Sequence, residues 1–157
     1  MKASKPVNAL DIPAETKASL YPEPFKALMQ GRIKRKLGNH FGLSNFGVNL
    51  TTLEAGAMSA LKHHHSTQDE FIYILEGEAT LVLGEEEILM KAGDCMGFKC
   101  NSKLGHQLIN HSTAIVRYLE IGDRSPNDYV EYPDDDLIAT SQEDGSWQFL
   151  HKDNIPY

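Results

Sequence analysis

From Asn45 onward, apolar and polar positions alternate in short runs separated by turn-forming residues, and nowhere do they settle into a long stripe of period 3.6. Phe46 to Leu53, Phe71 to Leu75, Ala79 to Leu83, Glu87 to Met90, Leu104 to Ile109 and Ala114 to Ile121 have strand length and carry β-formers. Gly56, Gly77, Gly84, Gly93 and Asn110 lie at or near most of the breaks, as turns would. Many short strands at this spacing predict an all-β sandwich or barrel. The acidic run Glu85 to Glu87 after Gly84 reads as a solvated hairpin tip, and Tyr132 to Leu137, with Pro133 and three aspartates, as an exposed turn.

The beginning of the chain has a different texture. Pro6, Pro13, Pro22 and Pro24 interrupt the first 24 residues, which leaves Pro24 to Gln30 as at most a short helix that starts with proline and stops at Gly31. The expected organisation is therefore an N-terminal arm with a short helix over 1–44, a barrel core over 45–125, and a C-terminal extension over 126–157 that packs on the barrel. The scattered apolar residues of the arm, Val7, Leu10, Ile12, Leu20, Phe25, Leu28 and Met29, need a surface to cover, and a neighbouring subunit's sheet edge is one candidate.

Composition narrows the partners. At 157 residues the chain has the size of one domain and can bury a core without disulfide staples. Fifteen Lys and Arg against 22 Asp and Glu give a formal net charge of -7, a field that repels polyanions, so neither nucleic acid nor an anionic membrane is expected as a partner. The basic run Arg32 to Lys36 reads, against that background, as a solvated face. No segment approaches the roughly 20 apolar residues of a membrane span, and no signal-peptide run opens the chain, so a cytoplasmic location is expected. Cys95 and Cys100 are too few for a disulfide framework and read as buried, inert thiols.

The chemistry sits in the middle of the chain. His63 and His65 are two apart, so in an extended segment both imidazoles leave one face, with α-carbons roughly 6.5 to 7 Å apart, and His64 points the other way. Glu70 follows the polar stretch Ser66 to Asp69 and opens the apolar run that begins at Phe71; His106 opens a later run that Asn110 closes. Three neutral nitrogen donors and one anionic oxygen suit a borderline divalent ion. On spacing alone, a solvated histidine loop and a metal cluster both remain open. Tyr118, Glu120 and Gln68 are secondary candidates for substrate contacts, although each also reads as an ordinary strand or turn residue. Tyr73 alternates away from Glu70, and His40, His111 and His151 read as solvated.

These residues resemble the cupin signature. Its first motif, G-x5-H-x-H-x3,4-E-x6-G, is matched by Gly56, His63, His65, Glu70 and Gly77, with six rather than five residues after the first glycine. Its second, G-x5-P-x-G-x2-H-x3-N, is matched by Gly93, His106 and Asn110; Lys99 stands for the proline, Asn101 for the glycine, and the interval before His106 is two residues longer. Outside this region, the ending of the chain is similar to a bacterial group of single-domain cupins of undefined function. The resemblance implies a double-stranded β-helix, or jelly-roll, barrel that dimerises with itself. It places one divalent transition metal ion, whether iron, manganese, nickel or zinc, on His63, His65, Glu70 and His106.

Fold alone does not choose a reaction. Two classes follow from the resemblance: a small-molecule metalloenzyme of dioxygenase, isomerase or lyase type, and a non-catalytic sensor or binding protein that uses the ion to orient its ligand. Strand alternation around His64 gives a direct test. His63→Ala removes a proposed ligand and is expected to lower metal affinity by more than tenfold, whereas His64→Ala leaves it nearly unchanged; equal losses in both variants, measured by competition with a chelating dye, would refute the alternation.

Overall fold

The computed structural model describes residues 5–15 and 19–157, so the first four residues of the expected arm and its residues 16–18 lie outside the description. Among the described residues, twelve strands follow one another in chain order: β1 Arg32–Lys36, β2 Phe46–Leu53, β3 His64–His65, β4 Glu70–Glu76, β5 Glu78–Leu83, β6 Glu86–Lys91, β7 Cys95–Phe98, β8 His106–Ile109, β9 Val116–Asp123, β10 Tyr129–Tyr132, β11 Leu137–Ser141 and β12 Trp147–Leu150. They form a five-stranded sheet in the order β1-β2-β9-β4-β7, a four-stranded sheet β12-β11-β10-β3 and a three-stranded sheet β6-β5-β8. Every strand pair is antiparallel. Isolated bridges from Met58 to Ile109 and from His63 to His106 run along β8, the second of them next to β3 of the four-stranded sheet. All-β architecture of jelly-roll type is the result. Among the described residues, no helix is long and apolar enough to cross a membrane.

Period-two alternation decides which side chains face inward. On β4, Ile72 and Ile74 are buried while Phe71, Tyr73 and Leu75 are exposed. The register carries this inner row across the five-stranded sheet: Lys34, Thr51, Tyr118 and Ile74 stand in line, as do Lys36, Asn49, Glu120, Ile72 and Met96. Leu53, Ile74, Val116 and Tyr118 from this sheet meet Ala79, Leu81, Met90 and Leu108 of the others in one core. A second core lies on the four-stranded sheet, where Val130, Tyr132, Leu137 and Ala139 receive Met29, with Tyr21 and Phe25 packed alongside.

The six runs expected as strands all lie on strands, within two residues at each end, but β1, β3, β7 and β10 to β12 do not stand out in the hydrophobic pattern. Strand β1 is four-fifths cationic and β3 has two residues, so neither has an apolar face for the pattern to reveal. Tyr132 and Leu137 are buried ends of the β10-β11 hairpin rather than parts of an exposed turn, which is limited to the residues between them. Cys95 is exposed and Cys100 half-exposed, contrary to the buried thiols expected. The helix expected near Pro24 is a 3-10 turn over Phe25–Met29, followed by Gly31 at a φ of 76°. Within the arm, Ile12 and Met29 are buried against the chain's own residues, whereas Val7, Leu10, Leu20 and Leu28 remain exposed. His151 is half-exposed at the surface, where its ring stacks on Tyr157 and its Nδ1 lies 2.8 Å from Asp136.

Two residues of the motif hold the turns. A side chain at Gly77, whose φ is 79°, would place its Cβ 2.5 Å from the carbonyl oxygen of Ile115, so the turn between β4 and β5 requires glycine. Asn110 is fully buried, and its Nδ2 donates to the carbonyls of Leu53, Glu54 and Ala114 at 3.0, 3.0 and 2.8 Å. Asn110→Ala removes this buried donor from all three carbonyls, of which Glu54 keeps the Ala57 N–H and Ala114 the Ser112 hydroxyl, and is expected to cost about 2–3 kcal/mol. A fall in melting temperature of roughly 5–10 °C is the corresponding readout, and an unchanged melt would contradict the role assigned to this side chain.

Candidate metal centre

The segment from His63 to His65 lies where the two smaller sheets meet. His63 exchanges backbone hydrogen bonds with His106, at 3.2 and 2.9 Å, and His65 sits opposite Val130 of β10. Directly bridged residues share a face, as do residues two apart on a strand, so His63, His65 and His106 all project inward. His64 alternates outward toward Glu131, with Nε2 3.6 Å from the carboxylate. Glu70 comes from the facing sheet, where it opens β4 opposite Phe98 and Gly122.

All four side chains converge on one atom. Oε2 of Glu70 lies 2.9 Å from Nε2 of His106, 3.4 Å from that of His65 and 3.6 Å from that of His63. The donor atoms of His63, Glu70 and His106 lie within 4.8 Å of one another; His65 reaches the same oxygen from outside this tight group. The rings are held in place by their other edges. Nδ1 of His63 donates to the carbonyl of Leu61 at 2.8 Å, and Nδ1 of His65 to Asp128 at 2.5 Å. His106 stacks flat on Phe98, with ring centroids 3.7 Å apart and planes 4° from parallel; among the described residues its buried Nδ1 has no partner.

This arrangement fits a cation. In the neutral rings of His63 and His65, an Nδ1–H donor leaves a lone pair on Nε2, and lone pairs aimed at a carboxylate repel it. Positive charge must lie between them, either as a proton on each ring or as one ion accepting all the lone pairs. Burial alone would raise the Glu70 carboxyl, but the hydrogen bond from His106 and the adjacent His63 and His65 rings outweigh it and hold the group well below the usual carboxylate range. Burial lowers His106, which favours the neutral ring that coordination needs. His65 is opposed by burial too, yet the Asp128 hydrogen bond prevails and raises it.

Asp128 has no spacing relation to the motif, 63 residues beyond His65, and nothing in the sequence singles it out. Its side chain is completely buried, and one oxygen accepts from the backbone N–H groups of Ser66, Thr67 and Gln68 at 3.1, 2.8 and 3.3 Å while the other faces His65. The turn between β3 and β4 and the orientation of His65 therefore share one carboxylate. Burial would raise that carboxyl, but the His65 hydrogen bond and the backbone donors bring it down to about 2. The loop before His106 also explains a departure from the motif, because Asn101 adopts a φ of 56° where the family has glycine, a region that asparagine tolerates.

A cavity of about 620 Å3 opens onto the cluster, lined by His63, His65, Glu70 and His106 at one part and by Arg32, Lys34 and Glu120 at another. The basic strand read as a solvated face thus turns alternate residues inward. Glu120 accepts from Lys34 at 2.5 Å and Asn49 at 2.9 Å through one oxygen, and lies 3.2 Å from the hydroxyls of Thr51 and Tyr118 through the other. Burial opposes its ionisation, and the Lys34 charge overcomes this to keep Glu120 a carboxylate. Tyr118, a secondary candidate, is wholly buried beneath it, while Gln68 binds the carbonyl of Ser125.

A family model described as the cupin domain matches residues 49–122. A crystal structure from Silicibacter pomeroyi, described as a sugar phosphate isomerase from a cupin superfamily, is 37% identical, with 98% of this chain and 96% of that chain covered and a TM-score of 0.91. The chain belongs to the cupin superfamily. A second structure, from Acidithiobacillus ferrooxidans and proposed to be a sugar phosphate isomerase, is 29% identical over 80% of each chain, with a TM-score of 0.72. A polyketide cyclase from Streptomyces resistomycificus shares the fold at 21% identity, covering 77% of this chain and 80% of its own, with a TM-score of 0.62. No match is found among curated proteins.

Replacing Asp128 by asparagine separates its two jobs. Partners that orient a metal-binding ring typically contribute 10–100-fold in affinity, so Asp128→Asn is expected to weaken metal binding by about that factor. Because the folded carboxyl titrates below its unfolded value, its stabilising contribution is complete above about pH 4 and disappears as the pH falls toward 2. Unfolding titrations between those limits should have a shallower pH dependence in the variant; identical curves and identical metal affinity would contradict the coupling.

Proposed function

We propose that this cupin is a metal-dependent enzyme acting on a small molecule, and specifically an isomerase of a phosphorylated sugar. The observation that carries the proposal is the convergence of three imidazole nitrogens on one Glu70 oxygen at the wall of a cavity large enough for such a substrate. Similarity to the Silicibacter pomeroyi isomerase over 98% of the chain supports the choice of reaction. His63, His65, Glu70 and His106 would hold one divalent transition metal ion; three nitrogens and one oxygen suit iron, manganese, nickel or zinc. Such an ion supplies a Lewis acid that polarises a carbonyl or hydroxyl oxygen of the substrate.

The rest of the task falls to the chain's own groups. An aldose-ketose interconversion moves one proton between adjacent carbons and another between their oxygens, so the cavity needs a proton carrier separate from the imidazole cluster. Glu120 is placed for this. It lies diagonally across from Glu70 on the neighbouring strand, a separation of roughly 7–8 Å between α-carbons, and faces the same cavity. Lys34 keeps it ionised at neutral pH, ready to accept a proton, and Asn49 and Thr51 fix its direction. Ile72, Phe98 and Leu108 supply apolar wall that limits access of water to the reacting carbons.

The test uses protein loaded separately with iron(II), manganese, nickel and zinc against a panel of aldose and ketose phosphates. Metal-dependent interconversion of at least one pair is expected. Glu120→Gln should lower its turnover by about 10²- to 10⁴-fold with metal content unchanged. Saturable binding without turnover across the panel would favour the sensor reading instead, and full activity in the variant would remove Glu120 from the mechanism.

A further inference from the structure

Strand β1 sends Arg32, Lys34 and Lys36 to the same face, and all three line the cavity. Two of them are already neutralised. Lys34 is paired with Glu120 at 2.5 Å and Lys36 with Glu15 at 2.7 Å. Arg32 is different, because among the described residues no carboxylate lies within ion-pair distance of its guanidinium. Its one hydrogen bond runs from Nη1 to the carbonyl of Ser59 at 2.6 Å, which fixes one edge of the fork and leaves the remaining N–H groups unclaimed.

The surroundings of Arg32 are those of a binding pocket and not of open surface. The side chain is half-buried, and Tyr21 and Tyr132, whose rings meet edge to face with centroids 5.7 Å apart, line the same cavity. The ring of Tyr132 is 5.8 Å from that of His63, so this pocket and the imidazole cluster are separated by little more than one aromatic residue. Partly desolvated cations are costly unless an anion completes them. A guanidinium with a fixed edge and free donors also matches the paired oxygens of a phosphate better than an ammonium would.

We propose that Arg32, with Tyr21 and Tyr132 lining the same cavity, binds the phosphate group of the substrate and thereby sets which end of the molecule faces the imidazole cluster. This deepens the isomerase reading and rests on it for the identity of the anion. The other two cations that the strand turns into the cavity serve carboxylates that the cavity itself provides. Of the strand's cavity-lining cations, Arg32 alone, among the described residues, is left for a ligand.

The experiment titrates inorganic phosphate into the purified, metal-loaded full-length protein by calorimetry, in parallel with Arg32→Met, Arg32→Lys and His63→Ala. Phosphate affinity is expected to fall at least tenfold in Arg32→Met and by a smaller factor in Arg32→Lys, which keeps the charge but loses the fork. It should change less than threefold in His63→Ala, where the imidazole cluster is damaged. Loss in His63→Ala with wild-type affinity in Arg32→Met would overturn the proposal, because the anion would then sit at the metal. Acetate at tenfold excess should fail to displace phosphate; equal competition would overturn the assignment of a phosphate site. Arg32→Lys, which can keep the Ser59 contact, guards against a folding defect in the methionine variant, and wild-type affinity in both variants also overturns the proposal. The two readings fail separately: phosphate bound at Arg32 without turnover of any sugar phosphate sinks the isomerase reading alone, whereas turnover with an unaltered KM in Arg32→Met sinks only the phosphate site.

Discussion

Charge balance around the Glu70 carboxylate constrains the whole interior. A carboxylate removed from bulk water and faced by three imidazole edges is stable only if positive charge lies among them. Each of the neighbouring elements contributes to that condition. The bridge between His63 and His106 brings two rings to one face, the β3-β10 pairing brings the third, and Asp128 and Leu61 claim the outer nitrogens so that the inner ones are left to accept.

The cavity extends the same logic. Glu120 is balanced by Lys34 and Glu15 by Lys36, and both lysines come from the single cationic strand β1. Antiparallel register makes this economical, since Lys34, Thr51 and Tyr118 stand in one row and Lys36, Asn49 and Glu120 in the next. A shift of one residue would turn every one of these polar side chains out of the cavity and bring Ile33, Leu50 and Leu119 into it. Register is thus what gives the site its chemistry as well as its shape. The apolar core beside it, where Leu53, Ile74, Leu81 and Val116 are almost wholly buried, fixes that register more strongly than the polar rows could by themselves.

Much of the central barrel is legible in the sequence because its strands have one buried and one exposed face. Phe71 to Leu75 alternates in the chain as it does in space, and the glycines between the runs sit at turns where φ is positive, as at Gly77. The four convergent residues are legible for a related reason: His63 and His65 share a face by spacing, and the family pattern adds Glu70 and His106. Other features escape. Strand β1 presents cations to a cavity, and in sequence a cation facing a cavity looks the same as one facing solvent. Asp128 acts on His65 across 63 residues of chain, a relation set only by the pairing of β3 with β10. Phe98 stacks on His106 by virtue of a short strand, β7, that contains glycine and little apolar patterning. Phosphate recognition by Arg32 likewise depends on which carboxylates its neighbours have already taken, and that is a property of three dimensions.

X-ray absorption at the metal edge, on protein reconstituted with one divalent ion per chain, tests the central claim most directly. Three imidazole nitrogens and a carboxylate oxygen should make up the protein's share of the inner shell, with the multiple-scattering features of the rings present, and one ring should be lost in His65→Ala. A shell containing sulfur from Cys95 or Cys100, or one of oxygen alone without imidazole scattering, would contradict it.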